Sequence, residues 1–483
     1  MKFEILLKAK SKQAALMLFA VAALAVSACR SNDDPQPIGP EEDEYVLLSG
    51  NLPTQTLSAS NKYLLSGQVF VREGQVLTIE PGTIIAGERS SRGTLIVDRG
   101  GRIMAAGTAT QPIIFTSNQA PGDRDRGDWG GIVLLGRARV NLESPSIEGI
   151  TPAVQYGGTD DEDNTGVMTY VRVEFAGIEL TPNNETNGIT LGAVGRGTTF
   201  NHIQVSYGGD DGIEWFGGSV DGDHLIVFGT WDDCYDIDNG FSGNLQFGLS
   251  IRYPSYADQS ESNGFEWDTD GDNNLTRFKT TAVFSNFTII GPAIDGNAIS
   301  GNYRYGVDLR RNVAGSIFNS VFVGFPNAIR MNQASVFPNY VNSNVDNGDR
   351  GVIANNIFYA RTAGAVSNNA DYPAATVQSY LAANENTVQA GADFQTAAAY
   401  TALGINPQLL FGTGLRILTQ YPSTQNFAVT TGTITTGANF DYPKFRETTR
   451  AGKFDTNVAY RGAFGATDWT QGWTEFNPVM ASY

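Results

Sequence analysis

Carboxylates dominate residues 210 to 272, and they recur in phase. One phrase is written three times, as DDGIEWF at 210–216, DDCYDID at 232–238 and SNGFEWD at 262–268, at offsets of 22 and 30 residues. Weaker copies follow as RYGVDLR at 304–310 and PNAIRMN at 326–332, and TNGITLG at 186–192 precedes them. Aligned on that phrase, one column holds Glu214, Asp236, Glu266, Asp308 and Arg330; the next holds Phe216, Asp238, Asp268, Arg310 and Asn332. Ahead of both lie the paired Asp211 and Asp233. Carboxylates in such an array can gather oxygen ligands around Ca2+, or divide the roles of acid and base in a hydrolysis. The segment Asp268-Thr-Asp270-Gly-Asp272 places carboxylates at alternate positions beside a glycine, so Asp238, Asp268, Asp270 and Asp272 are the candidate calcium ligands. The spacing is not that of an EF-hand, because the glycine comes fourth and no Glu lies twelve along.

These columns need an element that repeats. Within each copy apolar residues alternate with polar or small ones, the period of a strand with one buried face. Ile213/Trp215, Tyr235/Ile237, Phe265/Trp267, Val307/Leu309 and Ile329/Met331 are expected to point inward. One short strand every 20 to 30 residues implies a solenoid, because a lone rung cannot bury its apolar side. Parallel stacking sets the outward columns about 4.8 Å apart. At that distance neighbouring carboxylates repel by ~1 kcal/mol in water and by more near a protein surface, so the file requires cations, protons or the arginines at its far end.

Other strands run between the acidic ones, as YVRVEFAG, FNHIQVSYGG, GDHLIVFG, FSNFTIIG, FNSVFVGF and ANNIFYA. Aligning Val173, Ile203, Leu225, Phe287, Val321 and Ile357 as core positions puts Arg172, His202, His224, Asn286, Ser320 and Asn356 in the slot before them. The two histidines of the chain therefore stack. A His pair is a metal motif, but Asn and Ser in the same slot favour a polar ladder at a bend. Cys234 falls in the slot of Gly212 and Gly264, which suits a small structural residue rather than a reactive thiol.

The N-terminus has a different character. Lys2, Lys8, Lys10 and Lys12 precede an apolar run from Ala14 to Val26, too short to span a bilayer. With Val26-Ser-Ala-Cys29 it resembles a bacterial lipoprotein signal peptide, whose lipobox implies lipidation of Cys29. The acidic, Pro-rich segment that follows reads as a flexible tether, and resembles the export signal of Bacteroidota-type surface lipoproteins. Removing residues 1–28, with four Lys and one Glu, takes the net charge from −18 to −21. That balance excludes nucleic acid as a partner. After lipidation only Cys234 is left, so no intrachain disulfide is expected.

LTIEPGTIIAG, GDWGGIVLLGRA, MTYVRVEFAGIEL, GRGTTFNHIQVSYGGDDGIEWFGG and YRGAFGATDWTQGWTEFNP resemble a family of bacterial surface lipoproteins and secreted proteins. The resemblance implies an all-β chain folded as a right-handed parallel β-helix of the pectate-lyase-like superfamily, and carries no settled activity. The organisation expected is a signal peptide at 1–28, a tether at 29–45, the β-helix at 46–360 and an irregular, partly helical closing region at 361–483.

The function expected is that of an outer-membrane, surface-exposed lipoprotein binding a glycan or nutrient with the help of Ca2+ and passing it to an outer-membrane transporter. Its ligand face comprises Asp211, Glu214, Asp233, Asp236, Asp238, Glu266, Asp268 and Asp308, bordered by Phe216, Trp231 and Tyr305. By analogy with polysaccharide lyases of this fold, the alternative is a Ca2+-dependent lyase with Arg310 or Arg330 as base. Hydrolysis by Asp211 and Asp233 is disfavoured, because no His-Gly or Arg-x-Lys companion occurs. A structural or adhesive surface protein is the third reading.

Overall fold

The structure is a computed structural model that describes residues 45–181, 184–342, 349–411 and 421–483. The expected signal peptide, Cys29 and the tether up to residue 44 lie outside the described residues. No helix among the described residues is long and apolar enough to cross a membrane.

Short parallel strands stack into an all-β solenoid with three faces. The first face runs from the second half of Lys62–Val71 through Thr94–Val97, Ile132–Leu135, Ile189–Gly192, Ile213–Phe216, Tyr235–Asp238, Phe265–Trp267 and Tyr305–Leu309 to the ends of Val321–Met331 and Ile357–Ser367. Longer strands such as Thr199–Ser206, Gly222–Phe228, Asn244–Ile251 and Val283–Ile290 each supply the other two faces by bending once. The bend is made by one residue in the left-handed region: Tyr170, His202, His224, Phe247, Asn286, Asn319 or Asn355, with φ between 50° and 61°. Asn tolerates this conformation, and the others are held there by stacking.

The inward residues form the core as period two requires. Ile213, Trp215, Tyr235, Ile237, Phe265, Trp267, Val307, Leu309, Ile329 and Met331 are all fully buried, each contributing about 2 kcal/mol relative to exposure. Cys234 is buried in the column of Gly212 and Gly264, and Arg252 lies 3.4 Å from its Sγ.

Two expectations are corrected. The strand alignment between the acidic copies slips by two residues at one place and one at another: Val171, not Val173, pairs with Ile203, while Thr288, not Phe287, pairs with Val321 and through it with Ile357. The histidine slot therefore holds Tyr170, Asn319 and Asn355 rather than Arg172, Ser320 and Asn356, because the left-handed corner, not the nearest apolar residue, sets the phase. Strand stacking also continues past residue 360, through Ile357–Ser367 to Thr387–Ala390.

The remainder does more than close one end. Among the described residues, no strand follows Ala390, and the chain returns as a strap along the bend from the last coils to the first. Side-chain amides at or just past the corners grip its backbone: Asn355 Nδ2 donates to Gly437 O at 2.6 Å, Asn286 Nδ2 to Tyr460 O at 2.9 Å and Gln204 Nε2 to Glu475 O at 2.7 Å. Arg124 holds Pro478 O at 2.9 Å, and Lys62 Nζ reaches Tyr483 O at 2.7 Å. The buried Trp473 and its neighbour Trp469 pack against the histidines beneath.

Candidate functional site: an acidic file in a groove

The first face brings the predicted column into register. Thr190 pairs with Glu214, Glu214 with Asp236, Asp236 with Glu266, Glu266 with Asp308 and Asp308 with Arg330. Toward the N-terminus the same file is apolar, with Phe70, Ile96 and Val133 packed against Leu180 and the overhanging Ile150, Val154 and Tyr156. Where the overhang ends a cavity of about 500 Å³ opens, lined by Tyr156, Asn187, Thr190, Asp210, Glu214 and Phe216 among others.

The two ends of the file differ in how charge is balanced. At the C-terminal end Arg330 binds Asp308 through Nε at 2.8 Å and Nη2 at 2.5 Å. Arg310 contacts Glu266 directly and Asp268 at 3.1 Å, and Arg311 reaches Asp268 at 2.7 Å. At the N-terminal end Asp211, Glu214 and Asp236 offer ligand atoms all within 4.8 Å of one another, and among the described residues no cation forms an ion pair with them. Glu214 accepts from Asn187 Nδ2 at 2.5 Å, and a buried oxygen of Asp236 has no partner.

Burial, reinforced by neighbouring carboxylates, pushes the carboxyls of Asp211, Glu214, Asp232 and Asp236 well above their usual range. The same cause brings Asp210 and Asp233 up to about 7 and Asp238 to about 6. The nearby cation of Arg252, fully buried, tempers Asp233.

Asp211 and Asp233 also serve the backbone. The N–H of Asp233 donates to Asp211 Oδ1 at 2.8 Å, that of Asn263 to Asp233 Oδ1, and that of Tyr305 to Asn263 Oδ1 at 3.0 Å. This is a ladder of side-chain acceptors in which Asp and Asn are interchangeable.

The predicted calcium ligands do not converge. Asp268 is held by Arg310 and Arg311, while Asp270 and the exposed Asp272 face Arg277 at 3.4 Å. Among the described residues, the clusters with cation-ligand spacing are Asp211/Glu214/Asp236, Asp210/Asp211/Asp232 and His202/Asp223/His224. Arg310 stands on the rung next to Asp268 in the same column, and Arg277 belongs to the same loop as Asp270 and Asp272. The aromatic border is also different. Arg126 covers Trp231 at 3.6 Å and Arg330 covers Tyr305 at 4.3 Å, leaving Phe216 and Tyr156 as the aromatic pair of the groove wall.

Sequence reasoning missed Tyr156, Asn187 and Asp210 as groove residues. Asn187 and Asp210 stand in the repeat itself, in the columns of Asp211 and Asp232, and were within reach of the alignment. Tyr156 belongs to the long insertion after Ile132–Leu135, which carries no such signal.

The histidines form a stack rather than an open chelate. Tyr170, His202 and His224 succeed one another at centroid distances of 4.3 and 4.4 Å, with Phe247 at 5.1 Å from His224. Burial, then the neighbouring His224, lowers His202 to about 4.

A stack of parallel coils bearing one acidic groove defines a parallel β-helix protein. Residues 50–403 match the family described as "Pectate-lyase like beta helix domain", and the chain belongs to that family. No curated protein and no solved structure matches it.

Proposed function

We propose that the groove binds a glycan or similar polar nutrient through a divalent cation, Ca2+ being the leading candidate. The observation that carries this reading is the unpaired trio Asp211, Glu214 and Asp236, set beside acids that arginines already neutralise. Oxygen-only ligands suit a hard cation, and Phe216 with Tyr156 gives a sugar ring an apolar wall. The lipobox at Cys29 supports the further reading that the protein is a lipid-anchored, surface-exposed outer-membrane protein delivering its ligand to a transporter. Glycan-array binding in Ca2+ and in EDTA tests it: metal-dependent capture by the intact protein is expected, and equal binding or none in both buffers contradicts it. Palmitate labelling that is lost in Cys29→Ala tests the anchor.

A lyase is the second reading, favoured by the lowered pKa of Arg310, which burial and the adjacent Arg311 produce. Its engagement by Glu266 and Asp268 weighs against a free base. Incubation with polygalacturonate, followed by the ultraviolet absorbance of unsaturated products, separates lyase from binding protein.

A further inference from the structure

The histidine stack is closed on its faces and open at one side. Tyr170 covers His202 and Phe247 covers His224, while Trp473 and Trp469 of the strap meet the two rings at steep angles. On the remaining side His224 and Asp223 line a cavity of about 480 Å³, which reaches Lys453 of the strap. Both cations of its wall are engaged, Lys453 by Asp221 at 2.8 Å and Arg196 by Glu162 at 3.0 Å. Asp223 faces the imidazoles instead: His224 Nδ1 donates to its Oδ1 at 2.5 Å, and its side chain is 46% exposed. Thr169, Asn201, Asp223, Gln246 and Ser285 pair in one column, so the single carboxylate of the five stands beside the only two histidines of the chain.

The corner itself does not require imidazoles, because Asn286, Asn319 and Asn355 take the same left-handed conformation in other coils. Two imidazoles and an aspartate make a nitrogen and oxygen donor set, which suits Zn2+ and related transition ions, whereas the oxygen-only trio of the groove suits a hard cation. His202, Asp223 and His224 each offer one ligand atom, all within 4.8 Å of one another. Ligands around Zn2+ stand ~3.3 Å apart, so the stack is not yet a chelate and its donors must draw in by up to ~1.5 Å. The exposure of Asp223 and the cavity beside His224 leave room for that closure. We propose that His202, Asp223 and His224 bind one transition-metal ion of the Zn2+ class at this corner. Three protein ligands leave the fourth position of a tetrahedral ion to water or to a small ligand in the cavity. The site is separate from the acidic groove and does not depend on the function proposed for it.

The test is calorimetric titration of the full protein, stripped of metal and without a histidine tag, with Zn2+ in millimolar Ca2+ so that oxygen-only sites are already occupied. Saturable binding of one Zn2+ is expected, with both imidazole resonances displaced in the NMR spectrum and affinity weakened about tenfold or more in His224→Asn and in Asp223→Asn. Asparagine at residue 224 keeps the left-handed corner, as Asn286 does in its own coil. No saturable binding by the folded wild type overturns the proposal, as does Zn2+ that leaves either imidazole resonance in place or binds undiminished in either variant. Should His224→Asn fail to fold, His202→Asn decides by the same criterion.

Discussion

Arg330 grips Asp308 with two nitrogens, at 2.8 and 2.5 Å, from the next rung of the same file. Asp308 is fully buried and the Arg330 side chain only 12% exposed. The pair ends the run of carboxylates as a built-in counterion. Arg330→Met leaves a buried carboxylate uncompensated and is expected to destabilise by about 3–5 kcal/mol. Urea denaturation at neutral pH measures the loss, which shrinks in acid as Asp308 protonates.

The ladder through Asp211, Asp233 and Asn263 needs an acceptor oxygen rather than a charge. Asp233→Asn is therefore expected to match or exceed the wild type in stability, whereas Asp233→Ala strands the Asn263 N–H and loses about 1–3 kcal/mol. Equal loss in both variants would show that the charge itself is required.

The pH dependence follows from the direction of the carboxylate shifts. Asp210 and Asp233 rise to about 7, Asp238 to about 6, and Asp211, Glu214 and Asp236 well above the ordinary range. Between the unfolded values near 4 and these folded values, the native state binds more protons than the unfolded chain, so stability falls as pH rises. His202, lowered to about 4, works the other way below its unfolded value near 6.5, but as a single group. In EDTA the melting temperature is expected to be higher at pH 5 than at pH 8. A higher midpoint at pH 8 would mean that the acidic cluster is not strained by its own charge.

Trp473 sits over His202 at a centroid distance of 5.8 Å and is 1% exposed. Trp473→Ala is expected to cost about 3–5 kcal/mol and, by admitting water, to move the His202 titration upward from about 4. An NMR titration of the two imidazoles reads this directly.

The acidic file was legible because a period of two and regular offsets fix both the face and the register of Glu214, Asp236, Glu266 and Asp308. The other strands were harder, since their phase is set by a left-handed corner that accepts Tyr, His, Phe or Asn and so leaves no single-residue signature. Charge pairing was partly hidden. Arg310 and Arg330 lie in the repeat, but Arg252 reaches Asp233 only through the fold. The strap was least visible, because side-chain amides such as those of Asn286 and Gln204 hold irregular backbone that has no hydrophobic period.

The most direct test of the central claim is calorimetric titration of the EDTA-treated protein with Ca2+ at pH 8, in two buffers of different ionisation heat. The trio Asp211, Glu214 and Asp236 is expected to bind one ion saturably and to release protons as it does so, and Asp236→Asn is expected to abolish the response while the protein stays folded. Absence of saturable binding in the wild type, or undiminished binding in Asp236→Asn, would contradict a cation site at the unpaired end of the file.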